Sequence, residues 1–344
     1  MFVDDANTDA TSDSRAAAWP AVSVVIPAHN EASSLADAVE TVLDQDYPGE
    51  FDVTVAVAPS RDGTEHVAAW LASSHDRVRV VANPRGLTAA GLNQAVATST
   101  GEVVVRVDGH ARLSPGYIRR AVELLQETGA DNVGGIQEAV GATPFEQAVA
   151  AAMTSRFGTG DAKFHYGGKP GPTDTVYLGV FRRDVLVRLG GFDESLIRNQ
   201  DYELNWRIRD AGGVVYFHPD LRVQYRPRGS LRALSRQYFQ YGRWKRVVVR
   251  RHPRSFRLRQ AVPPLALMTL AASAVLGVLV SPWWWAMPGA YAAAVLVASL
   301  TAARGAIRTA GHLMAIFPTM HLAWGAGFLF GRRSTRRPSP PLED

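Results

Sequence analysis

The stretch AVSVVIPAHNEASSLADAVETVLDQ (residues 21–45) decides the fold. Its first part, 21–27, is an apolar, β-branched run that ends at Pro27; its second, 33–45, places apolar residues at helical spacing. The first predicts a strand buried on both faces and the second an amphipathic helix. The same alternation follows downstream. FDVTVAVA (51–58), VRVVAN (78–83) and EVVVRVD (102–108) predict strands, while TEHVAAWLASS (64–74) and TAAGLNQAVATS (88–99) predict helices. Strands alternating with helices imply βαβ units, an α/β class and a parallel sheet. Ligands of such sheets bind at the carboxyl ends of the strands. The segments to inspect are therefore AHNE, PSRDGT, NPRG and DGH.

The chain has 344 residues, enough for one large domain or two modest ones. It has no cysteine, which excludes disulfides, Cys-bound zinc and thiol chemistry. Its net charge of +5 is unevenly spread: residues 1–220 carry 18 Lys and Arg against 30 Asp and Glu, residues 221–344 carry 19 against 2. Such asymmetry points to a part facing nucleic acid or anionic lipid. No charged residue occurs between Gln260 and Ala303, and 264–280 and 283–303 are each about long enough to span a bilayer. SPWWW between them suits an interfacial turn. The alternative, a buried helical hairpin, normally keeps a polar face. A third uncharged stretch, 311–331, contains His312, Pro318 and His321, so it is either a third span or an interfacial helix.

The basic run RWKRVVVRRHPRSFRLR (243–259) places the start of the first span on the cytoplasmic side of a cell membrane, inner or plasma. GRRSTRR (331–337) would lie outside if the third stretch crossed, which favours a non-crossing helix. The 13 Arg and Lys from Arg222 to Arg259 would also suit nucleic acid, but they adjoin the spans, so membrane lipid is the expected partner and nucleic acid is not. The expected organisation is a disordered tail (1–19), an α/β domain (20–235), a basic amphipathic juxtamembrane helix (236–260), a membrane region (261–331) and a basic, Pro-rich tail (332–344).

Three places carry chemistry. After the first strand, Asn30 and Glu31 are either caps of the next helix or ligand contacts. VDGH puts Asp108 and His110 two residues apart around Gly109; this is either a surface turn or a pair of ligands for a hard divalent cation, imidazole suiting Mn²⁺. In RNQDYELNWRIR (198–209), Asp201 and Glu203 open a helix; they either complement its dipole or include a general base. There is no GxGxxG after the first strand and no P-loop, which disfavours dinucleotide and P-loop chemistry.

The series VSVVIPAHNE, DGT, NPRGLTAAGLN, VRVDGHA, YLGVFRR, GGFDE, QDYELNWRIR and QYGRW, in this order over about 20–250, resembles a family 2 glycosyltransferase. The resemblance implies the GT-A fold, a Rossmann-like, mostly parallel sheet with flanking helices, here followed by a membrane hairpin. Within the family the chain is most similar to the membrane-attached exopolysaccharide (succinoglycan-type) branch, whose metal motif also reads Asp-x-His. The resemblance implies that Pro27, Ala28, Asn30, Glu31, Gly86 and Asn93 contact the nucleotide, and that Asp108 and His110 hold Mn²⁺ or Mg²⁺. It makes Asp201 the base. In QYGRW it sets Arg243 on the donor diphosphate and Gln240 and Trp244 by the acceptor; a plain juxtamembrane helix with an interfacial Trp would read the same.

The activity implied is inverting, metal-dependent transfer from a nucleotide-sugar, expected to be a UDP-sugar, to a hydroxyl of a lipid-linked or cell-envelope glycan. Three positions depart from the family pattern: Val57 and Ala58 replace acids after the second strand, Arg106 replaces the first acid of the metal motif, and Gln200 replaces the acid before Asp201. They keep two alternatives open. One is a sugar-nucleotide-binding scaffold without turnover; the other is a polyprenyl-phosphate sugar synthase, which would not need QYGRW.

Overall fold

The computed structural model describes residues 19–331; the expected tails at 1–18 and 332–344 lie outside the described residues. The first half runs β1 (Val22–Ala28), α1 (Leu35–Leu43), β2 (Phe51–Val57), α2 (Thr64–Ser74), β3 (Val78–Ala82), α3 (Thr88–Thr98), β4 (Val103–Arg106), β5 (Arg112–Leu113) and α4 (Tyr117–Thr128). It continues through β6 (Asn132–Ala139), α5 (Pro144–Met153), α6 (Arg156–Thr159), α7 (Lys163–Tyr166), β7 (Gly171–Pro172), β8 (Tyr177–Arg182), α8 (Arg183–Arg188), α9 (Gln200–Asp210) and β9 (Val215–Tyr225). The C-terminal part is helical: α10 (Leu231–Arg251), α11 (Val262–Leu279), α12 (Ala286–Ala302) and α13 (Ile307–Phe330).

All strands join one mixed sheet in the order β3-β2-β1-β4-β8-β6-β9-β5, with β7 also on β9. The run β3-β2-β1-β4 is parallel, as its βαβ sequence pattern requires. β8 then pairs antiparallel with both β4 and β6. β1 runs one residue past Pro27, which lies opposite Ala56 of β2. The apolar runs read as strands form the core: Val24, Ile26, Val53, Val55 and Val105 are fully buried with Leu35, Val39 and Leu71 from the helices above them. The second face is covered by α3, α8 and α9 through Leu92, Val185, Leu204 and Ile208.

α11, α12 and α13 are each long and apolar enough to cross a membrane. α13 differs from the other two in its packing. Leu313, Ile316, Phe317 and Met320 are buried in one cluster with Ala148, Val149 and Ala152 of α5 and Leu234 and Tyr238 of α10. α13 and α10 also meet backbone to backbone. A Cβ on Gly242 would collide with the Trp324 carbonyl, and one on Gly327 with the Phe239 carbonyl. Arg246 closes the contact by donating to the Leu329 carbonyl at 2.7 Å. Small residues are what allow helices to approach this closely.

Gly242→Ala is expected to destabilise the protein by about 1–3 kcal/mol or more, because neither carbonyl nor helix axis has room to give. Gly289→Ala, whose added Cβ meets nothing within 4 Å, should leave the unfolding midpoint in detergent unchanged or higher. Equal midpoints for the two variants would remove the close-contact reading.

Candidate active site

The loops at the carboxyl edge are stitched to each other before any ligand is considered. Asn30 has φ 53°, and its side-chain oxygen accepts from the Arg61 N–H at 2.9 Å. The N–H groups of Asn30, Glu31 and Ala32 donate to Ser60 Oγ, Thr64 Oγ1 and Asp62 Oδ2. Neither Asn30 nor Glu31 caps α1; Ser34 holds the N-cap position, without a side-chain cap bond. Instead Ser34 Oγ reaches Glu31 Oε2 at 2.9 Å and the Gly109 carbonyl at 3.0 Å. The β1 exit and the β4 exit are thereby fastened together.

Gly109 makes this approach possible. A Cβ there would sit 3.2 Å from Glu31 Cγ and 3.5 Å from the Pro27 carbonyl. The Ala111 N–H closes the turn onto the Asp108 carbonyl at 2.9 Å. Two charged pairs then orient the side chains on either side. Arg106 Nε and Nη2 donate to Asp108 Oδ1 at 3.1 and 2.9 Å, while His110 Nδ1 lies 2.9 Å from Glu31 Oε1. Burial alone would raise the Asp108 carboxyl. The charge of Arg106, followed by those of His110 and Arg198, holds it below its ordinary value instead. Crowding disfavours the His110 cation, but its hydrogen bond to Glu31 and the charge of that carboxylate raise its pKa.

Arg106 is the residue least expected here. It is the one charged side chain in the apolar run 103–107 and is almost wholly buried, with its guanidinium 5.9 Å from the Phe192 ring. Burial works against its charge, and Asp108 and then Asp201 are the charges that sustain it. One cation thus stands in the field of both the candidate metal-binding acid and the candidate base. Its Nη1 is buried with no partner in the protein.

Whether a divalent cation suits this place is decided by the donor atoms. Both Arg106 bonds fall on Asp108 Oδ1, so Oδ2 is the oxygen left to face a ligand. Glu31 engages His110 at Nδ1, which in the neutral ring leaves the Nε2 lone pair for a metal. Among the described residues, no group of three or more His, Asp or Glu side chains is placed to hold a metal by itself. Asp108 and His110 therefore fit a cation that takes its remaining ligands from a substrate's phosphates, as Mg²⁺ commonly does.

Asp201 is in the first turn of α9, and its Oδ1 accepts from the Tyr202 N–H at 2.8 Å. Asn199, at φ 62°, turns the chain into that helix and donates from Nδ2 to the Tyr241 carbonyl at 3.2 Å. Glu203 is committed elsewhere, to Arg207 and to His252. Asn93 lies farther along the edge and its amide is spent on the loop after α8: Nδ2 donates to the Phe192 carbonyl and Glu194, and Oδ1 accepts from the Phe192 N–H. Gly86, at φ 67°, completes the turn before α3.

On α10, Trp244 is buried against Tyr202, Leu196 and Val248, and its Nε1 has no partner in the protein. Arg243 lies 5.6 Å from the Trp244 ring and packs its stem where Gly331 passes; Gln240 is half-buried. The neighbour of Trp244, Lys245, was hidden in a basic run and gave no sequence signal. It is buried with Nζ 2.9 Å from the centre of the Tyr202 ring. Burial lowers its pKa to about 7, against the attraction of Asp201. Gln237 Nε2 bridges the hydroxyls of Tyr225 and Tyr241, and Tyr225 in turn lies beside His110. Asp108 and Asp201 are thus the acids that act on Arg106, and the Glu31–His110 pair adjoins Asp108, with α10 closing the side next to Tyr202.

Residues 23–190 match the family described as Glycosyl transferase family 2. The chain is 34% identical over 309 residues to the Succinoglycan biosynthesis protein ExoA of Rhizobium meliloti (strain 1021), across 89% of this chain and 93% of that protein. It is 28% identical over 226 residues to Glycosyltransferase AglE of Haloferax volcanii, across 65% of this chain and 72% of that one. A third relative is the Dolichyl N-acetyl-alpha-D-glucosaminyl phosphate 3-beta-D-2,3-diacetamido-2,3-dideoxy-beta-D-glucuronosyltransferase of Methanococcus voltae. There the identity is 23% over 239 residues, across 67% of this chain and 74% of that protein. The chain belongs to the family 2 glycosyltransferases. It has their GT-A architecture, it is a glycosyltransferase, and its three apolar C-terminal helices mark it as membrane-associated.

Two outcomes follow, one from the Arg106–Asp108 pair and one from the buried Lys245. Arg106→Ala and Asp108→Ala should each lower the unfolding midpoint in detergent, and the double variant should lower it by less than their sum, with a coupling of about 0.5–3 kcal/mol. Strict additivity would dissolve the pair. For Lys245, the unfolded chain keeps the proton to about 10.4, whereas the folded protein releases it near 7. Between those values the unfolded state binds more protons, so Lys245 makes stability rise with pH. Lys245→Met should flatten that rise, measured by denaturant unfolding from pH 7 to 10.

Proposed function

We propose that the protein is an inverting glycosyltransferase. It would move a sugar from a nucleotide-diphosphate donor, a UDP-sugar by expectation, to a hydroxyl of a lipid-linked or cell-envelope glycan, in exopolysaccharide assembly at the cytoplasmic face of the cell membrane. The observation that carries this reading is the placement of Asp108 and Asp201 in the field of one buried cation at the sheet's carboxyl edge. The likeness to a succinoglycan biosynthesis protein supports the polysaccharide, and the likeness to a dolichyl-linked transferase supports a lipid-linked acceptor.

In the proposed mechanism the donor lies across the exits of β1 and β4, within reach of the loop held by Asn30 and Glu31. Asp201 takes the proton from the acceptor hydroxyl as its oxygen attacks the anomeric carbon. The new C–O bond forms on the face opposite the departing nucleoside diphosphate, so the single displacement inverts the anomeric configuration. Arg106 and Arg198 are the guanidiniums that act on Asp108, at the edge where phosphate charge would gather. Asp108 and His110 are the residues that would hold Mn²⁺ or Mg²⁺, which when bound offsets the charge developing on the leaving diphosphate. Asp201 stands without an acidic neighbour, since Gln200 precedes it. We further propose that α11 and α12 cross the membrane as a hairpin while α13, packed along α5 and α10, lies at its surface.

The test is sugar-nucleotide turnover in membranes, with UDP-, GDP- and dTDP-sugars, with and without Mn²⁺ and a membrane lipid extract. One donor is expected to be consumed by the wild type. Asp201→Asn should lose about 10²–10⁴-fold in rate with donor binding retained, and Asp108→Ala should lose donor binding as well. A donor that binds but turns over under no condition would replace the transferase with a binding scaffold.

A further inference from the structure

The segment between α10 and α11 carries more positive charge than the protein around it neutralises. Arg257 and Arg259 stand in the last short turn before α11. Arg259 donates to Asp161 at 2.8 Å and also pairs with Asp174. Arg257 Nε lies 3.8 Å from the same Asp174 carboxylate. Arg209 enters this group from the last turn of α9, where Arg257, Asp174 and Arg259 are the charged groups that act on it. Asp161 is 77% exposed at the rim, so Asp174 is the one enclosed carboxylate among three guanidiniums. It is already engaged by two of them. Arg209 Nε and Nη2 are buried and find no acceptor in the protein.

Buried guanidinium N–H groups without an acceptor are costly, and a planar fork of donors matches phosphate oxygens. The surroundings indicate where such a phosphate would come from. Leu258, between the two arginines, is 86% exposed, and the exposed apolar surface of α11 begins at Val262. The cluster therefore sits at the start of a helix long and apolar enough to cross a membrane, the end at which lipid headgroups are met. On its other side is Tyr202, which follows the candidate base Asp201 in α9 and is itself in the field of Asp174, Arg259 and Arg209.

We infer that Arg209, Arg257 and Arg259 form a binding site for the phosphate of a membrane lipid, and that the lipid is the diphosphate carrier of the acceptor sugar. The choice of carrier rests on the glycosyl-transfer reading; the phosphate site itself does not. The lipid tail leaves along α11.

The test uses the full chain in phosphatidylcholine nanodiscs, with geranylgeranyl diphosphate as the probe, geranylgeraniol as the uncharged control, and binding read by native mass spectrometry. The diphosphate should bind at least 10-fold tighter than the alcohol, and Arg209→Gln should lose that preference while UDP binding is unchanged. Arg257→Gln, at a more exposed position, should weaken it in the same direction and covers the case of an Arg209 variant that does not fold. Retention in nanodiscs containing phosphatidylglycerol supports the carrier assignment. Displacement by phosphatidylglycerol keeps the phosphate site and overturns the carrier. Equal binding of diphosphate and alcohol, or wild-type preference in both folded variants, overturns the site. Absence of UDP binding in the wild type would count against the UDP-sugar donor alone and leave the phosphate site standing.

Discussion

The site depends on how closely the β4 exit can approach the β1 exit. At Gly109 the backbone passes against Glu31 and the Pro27 carbonyl, where a side chain would press on the Glu31 stem at 3.2 Å. With the loops in contact, two oppositely charged pairs orient what lies on either side: Arg106 with Asp108, and Glu31 with His110. Each pair occupies one atom of a would-be ligand and leaves the other outward. The same Arg106 rests on Phe192, which Asn93 holds by its backbone. Three loops that are distant in sequence are thus tied to a single buried cation.

Much of this was legible because burial and polarity disagree at the strand ends. β1 and β4 are nearly continuous apolar, β-branched runs, as strands covered on both faces must be, whereas β3 at the sheet edge is mostly exposed. Asp108 and His110 stand out because they interrupt such a run. The antiparallel half was harder to read: β5 and β7 are two residues each, and β6 carries a pair of glycines that shift its register. Arg106 was visible only as a departure from a pattern. Its partner is two residues away, but its guanidinium also lies over the Phe192 ring, which no local window contains. Lys245 is one of several cations on α10, and only the tertiary contact with Tyr202 separates it from those facing water or lipid. The resemblance set Asn93 at the nucleotide; its amide also holds the Phe192–Glu194 loop, a contact no local window contains.

Charge is graded from the sheet edge to the membrane. At the edge, cations and carboxylates are paired side chain to side chain. Around Tyr202, Lys245 is enclosed and its ammonium is disfavoured. Beyond it, at the turn before α11, guanidiniums outnumber the enclosed carboxylates. The net positive balance of residues 221–344 is therefore not spread evenly over a surface. Part of it is gathered at the turn before α11, where the chain passes from the α/β domain to the three long apolar helices.

The contact of α13 with α5 and α10 bears on how such a protein can be cut or recombined. Ala148, Val149, Leu234 and Tyr238 on α5 and α10 share one buried cluster with Leu313, Ile316, Phe317 and Met320 of α13. A shortened form ending before α11 would turn that cluster into a sticky flank on the catalytic domain itself. Swapping membrane anchors between relatives would succeed only if α5 and α10 travelled with α13. The unit of inheritance is then neither the soluble domain nor the anchor, but the three helices that bind one to the other.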